Sequence, residues 1–146
     1  MPLRRLLVWL IGLAAMAALY HGLVTLAVMW LWMPPPDWWS LPISKKAAAL
    51  TWLQLVHGVA LAAAALPCAL LLHRLPGRRP VVSGLVVAGI ALVAPALWSS
   101  VSYLPSFSTF MRVSFGLDLL KFALVLPAIV WLLARARVRG PRAAQA

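Results

Sequence analysis

Five side chains stand where an apolar sequence ordinarily carries none: His21, Gln54, His57, Asp118 and Lys121 each interrupt a long hydrophobic run. Imidazole can ligate iron or relay a proton, and a carboxylate or an ammonium can bind an ion or pass a proton on. His21 and His57 occupy similar settings, Leu19-Tyr20-His21-Gly22 and Leu55-Val56-His57-Gly58. Two facing imidazoles at one depth are the ligand set of a b-type haem, and the adjacent glycines leave room for a macrocycle. One expectation is therefore a haem b- or quinone-linked redox subunit that uses His21 and His57. The competing expectation is that each neutral His hydrogen-bonds to Asp118, Gln54 or Ser99 on a neighbouring helix.

Asp118 and Lys121 stand at i, i+3, close enough to pair on one helix face. Pairing neutralises both charges and makes them tolerable in an apolar setting; the alternative is an ion or small-solute carrier built on the two. Other chemistries find no support. Cys68 is alone, which leaves no CxxC pair and no cysteine zinc site. There is no GxGxxG, no phosphate loop and no HExxH. A single carboxylate inside the runs offers no acid/base pair. Ser99, Ser100 and Ser102 come within range of a His, but Ser is common at helix ends. No catalytic residue and no metal site are assigned, and the reading leans away from an enzyme.

The elements that must position these groups are set by composition. Of 146 residues, 64% are hydrophobic, and 13 Lys or Arg stand against 2 acidic residues, Asp37 and Asp118. A soluble domain is about 45–50% apolar and about 25% charged, and a nucleic-acid binder spreads its basic residues over a polar face. Here they cluster between apolar runs, the pattern of a polytopic membrane protein, so no nucleic-acid partner is expected. Four transmembrane helices are expected at about 6–33, 47–72, 81–104 and 113–134, followed by a basic tail at 135–146. Each run exceeds the ~20 residues that cross the hydrocarbon core. The first is too long for a signal peptide, whose apolar core is ~7–15 residues. Continuous rather than alternating apolarity excludes a barrel.

Orientation follows from the basic clusters. Arg4, Arg5, Arg74, Arg78, Arg79 and the tail arginines fall on one side, and Lys45, Lys46 and Arg112 on the other, which places both termini in the cytoplasm of a bacterial inner membrane. Trp30, Trp32, Trp38, Trp39, Trp52 and Trp98 gather near the outer interface, where amphipathic rings settle. Short connections imply a single domain, an antiparallel bundle of sequential neighbours. Helical rise puts His21, His57, Asp118 and Lys121 in one layer of the outer half. Small residues mark the expected contact faces: Ala14, Ala17, Ala18, His21 and Thr25; Gln54, His57, Ala64 and Cys68; Gly84, Ala88, Ala91, Pro95, Ser99 and Ser102; Ser114, Asp118 and Lys121. The favoured function is an accessory or interaction subunit, or an immunity-type factor, that packs against another membrane protein or a second copy of itself within the lipid bilayer.

Overall fold

The computed structural model describes residues 3–31, 33–39, 44–74 and 79–143, the side chains of Trp38 and of 137–143 excepted. Trp32, Arg78 and the side chains of Trp38, Arg137, Arg139 and Arg142 therefore lie outside the described set. Helix α1 is Leu3–Leu31, an Ala- and Leu-rich run that ends before Pro34-Pro35-Pro36. A short 3-10 turn, Asp37–Trp39, follows. Helix α2 is Lys45–Leu72, started by Ser44, whose Oγ accepts from the Ala47 N–H at 3.3 Å. The third run, Pro80–Ser100, comes in three pieces: α3 (Pro80–Ala88), a π segment (Gly89–Val93) and α4 (Ala94–Ser100). Pro80 opens α3, where its missing N–H costs nothing. Helix α5 is Thr109–Ala143.

Four helical runs are long and apolar enough to cross a membrane, and no strand occurs among the described residues. Their ends move by a few residues from the expected ones, with one larger difference. The fourth run does not stop at 134; it continues as helix through the basic segment. Ala and Arg are strong helix formers, so the backbone carries on after apolarity has ended.

The runs close into a ring in which α1 packs on α2, α2 on α5, α5 on the third run, and the third run on α1. Sequential neighbours do not all pack together: α2 and α3, joined by a short connection, touch only slightly. Side-chain fit decides this. Gly84 of α3 takes α5 at close range, since a Cβ there would stand 3.4 Å from the Pro127 backbone and 3.5 Å from the Val130 side chain. The polar face of α2 is matched by the polar face of α5, described below.

The contact faces correct part of the small-residue reading. On α2, Ala64 and Cys68 are buried, joined by Ala65 and Ala69. On α1 only Ala17 of the expected stripe is buried; Ala14, Ala18, His21 and Thr25 are exposed. The buried face of α1 is instead Leu13, Met16, Ala17, Tyr20 and Val24. Bulky residues of α1 fill the space that the alanines of α2 leave, which packs better than small against small. In the third run Gly84, Ala88 and Ala91 are buried, but Pro95, Ser99 and Ser102 are exposed. Beyond the π segment, α4 contributes no buried residue.

Candidate functional site: a polar layer between α2 and α5

On α5, Ser114, Asp118 and Lys121 follow one another at four- and three-residue spacing, and so share one face. Gln54 of α2 reaches the first, its Nε2 donating to Ser114 Oγ at 3.3 Å. One turn along α5, Lys121 Nζ lies 2.9 Å from Asp118 Oδ1, the ion pair expected from the spacing. Apart from each other, these two atoms meet no hydrogen-bonding group among the described residues. The side chains keep 21% and 23% of their surface exposed while the paired Nζ and Oδ1 are themselves buried, so the pair sits near the margin of the bundle with its charges turned inward. His57, three residues after Gln54 and half-buried, lies within electrostatic range of both charges. Gln54, His57, Ser114, Asp118 and Lys121 thus make one polar layer across the α2–α5 seam.

His21 belongs to a different seam. It is exposed on α1, with Nδ1 2.8 Å from the carbonyl of Ala91 in the π segment. In an α register the N–H that returns to that carbonyl would belong to residue 95, which is Pro and has none. A carbonyl only accepts, so Nδ1 carries the proton. His21 thus gives that carbonyl a donor from α1 next to the Pro95 break in the third run. The two histidines singled out as haem ligands lie at separate seams: His21 bonds to the third run, and His57 stands on the face of α2 that carries Gln54. Ser99 stays apart from both, exposed and bonded to its own helix through the Ala96 carbonyl at 3.1 Å.

Two residues escaped the sequence reading. His73, at the end of α2, places Nε2 3.2 Å from the Val130 carbonyl and ties that end of α2 to α5. Its position beside Arg74 reads as part of a basic flank, which concealed it. Tyr20 is fully buried, and its hydroxyl has no hydrogen-bond partner among the described residues. Its neighbour His21 drew the attention, although the buried face of α1 runs through Tyr20.

The aromatic residues divide into two groups. Trp30 and Trp98 are 80% and 87% exposed. Trp39 and Trp52 meet edge to face at 5.1 Å, and their indole N–H groups donate to the carbonyls of Ala48 and Met33, each at 2.9 Å. At the far end of the molecule the Arg135 guanidinium stands 4.1 Å over the Trp131 ring, a cation–π contact one turn apart.

Fold and site together define a multi-pass helical membrane protein with a neutralised ion pair on its last helix. Comparison of the chain with protein-family models, curated proteins and solved structures finds no match.

Proposed function

We propose that this chain is an interaction subunit of a bacterial inner membrane, an antiparallel four-span bundle with both termini cytoplasmic, that works by packing α5 against another membrane protein or a second copy of itself. One observation carries the reading: α5 is the least covered run and also the one that bears the ion pair. Only 17% of its apolar window is buried within the bundle, against 44% for α2. The bundle turns the paired charges inward and leaves the apolar side of α5 open, and a partner helix laid on α5 covers what the chain itself leaves open.

The uncovered face suits such a partner. Val113, Leu117, Leu120 and Leu124 are exposed at spacings of three and four residues, a helical stripe. Gly116 is exposed beside them, with open space where a Cβ would stand, which allows close approach of another backbone. Most of the polar groups in the runs are partnered within the bundle: Gln54 with Ser114, Asp118 with Lys121, His21 with Ala91.

The test is the size of the complex extracted in mild detergent from the membrane in which the chain is made. Wild-type chain runs with a second polypeptide, its own copy or another. Gly116→Leu, which meets nothing inside the chain, keeps its melting behaviour but loses that companion. A wild-type chain that runs alone with lipid would overturn the proposal.

A further inference from the structure

Helices α1 and α2 leave an open apolar trough along their shared seam. Its α2 wall is Trp52, Val56, Val59, Ala63 and Pro67. These positions are three or four residues apart and form one helix face. Leu31 and Met33 of the first run and its connection wall the Trp52 end, and Leu23, Ala27 and Trp30 wall the Pro67 end. The free space is about 170 Å³ at the first end and about 420 Å³ at the second. From Trp52 to Pro67 the face runs about 22 Å at the helical rise, against about 15 Å for half a hydrocarbon core. A single acyl chain entering at the Trp52 end therefore fills the part of the trough between Trp52 and Val59.

The Trp52 end is held in shape. Trp52 is tied to the Met33 carbonyl and packed by Trp39, which is itself tied to Ala48. Lys45 stands seven residues before Trp52, two turns and about 10 Å along the axis, on the same face as the trough. Lys46 is beside it, and both are exposed. Among the described residues neither forms an ion pair. Asp37, exposed in the turn before Trp39, is the one carboxylate near this end, so two cations face one anion.

An apolar trough that runs down from a pair of free cations matches a molecule with a negative head and a hydrocarbon tail. We propose that the α1–α2 seam binds one anionic phospholipid, its headgroup at Lys45 and Lys46 and one acyl chain passing Trp52 toward Val59. Lysines near a membrane surface attract anionic headgroups, and a zwitterionic lipid gains much less from them. The site uses no residue of α5, and so stands or falls separately from the interaction reading.

The experiment uses the full chain in mild detergent, titrated with dioleoyl phosphatidylglycerol or dioleoyl phosphatidylcholine and read by native mass spectrometry. Phosphatidylglycerol is retained preferentially. The preference falls roughly fivefold with each of Lys45→Gln and Lys46→Gln, and rises with Asp37→Asn. Inorganic phosphate at equal concentration does not compete, because it lacks the chain that fills the trough. In a second arm, phosphatidylglycerol carrying a mid-chain photoreactive group labels the Trp52–Val59 segment of α2. An unchanged lipid preference in the double lysine variant overturns the proposal. So does labelling spread evenly over the exposed leucines of α5, or full competition by phosphate.

Discussion

Asp118 and Lys121 show how two charges persist in an apolar helix: among the described residues they pair with each other and with no other hydrogen-bonding group. Removing one leaves a stranded charge, whereas removing both leaves none. Lys121→Met is expected to lower stability by about 1–3 kcal/mol, below the cost of breaking a fully buried pair because the side chains are partly exposed. Adding Asp118→Asn should recover most of it. A double-mutant cycle on detergent melting reads the coupling, and additive losses would show that the residues act separately. His21 offers a sharper cycle. His21→Leu strands the Ala91 carbonyl and is expected to cost about 1 kcal/mol. Pro95→Ala restores the N–H that carbonyl lacks, so His21→Leu should become nearly silent in that background. The ion pair was legible in the sequence because i, i+3 spacing is a property of one helix. The partner of His21 was not, because it depends on how α1 and the third run are set against each other.

At the scale of the helices, each run declared itself through apolar length, while the faces they turn inward did not all do so. Counting small residues located the inner face of α2 and of α3 but misplaced that of α1, where Leu13, Met16 and Tyr20 pack into the alanines of α2. A small-residue stripe shows where a backbone can be approached; it does not say which of two helices supplies the bulk. The π segment had a visible cause in Pro95, whose consequence for Ala91 follows from backbone chemistry alone. Gly84 is the position where close approach is built in. Gly84→Ala places its Cβ at ordinary contact distance from Pro127 and should be nearly neutral. Gly84→Leu must push α3 from α5 and is expected to cost about 1–3 kcal/mol. Thermal melting of the two variants checks the difference, and equal melting would contradict the α3–α5 contact.

For the whole molecule, charge and coverage are the governing quantities. Nine basic residues fall near the termini and in the second connection, and three in or beside the first and third, Lys121 being the thirteenth. Reporter fusions after Leu41 and after Ser106 should therefore report the outer side, and a fusion after Gly77 the cytoplasm. A cytoplasmic signal after Leu41 would reverse the map. The ring order of the helices was beyond the sequence, since short connections favoured sequential neighbours and the polar match of α2 with α5 outweighed them. Coverage bears on function. The most direct measurement is site-specific photocrosslinking in intact membranes, from Leu120 on α5 and from Ile11 on α1, both exposed in the single chain. The account predicts a discrete protein adduct from Leu120 and lipid adducts alone from Ile11; lipid adducts alone from both positions would contradict it.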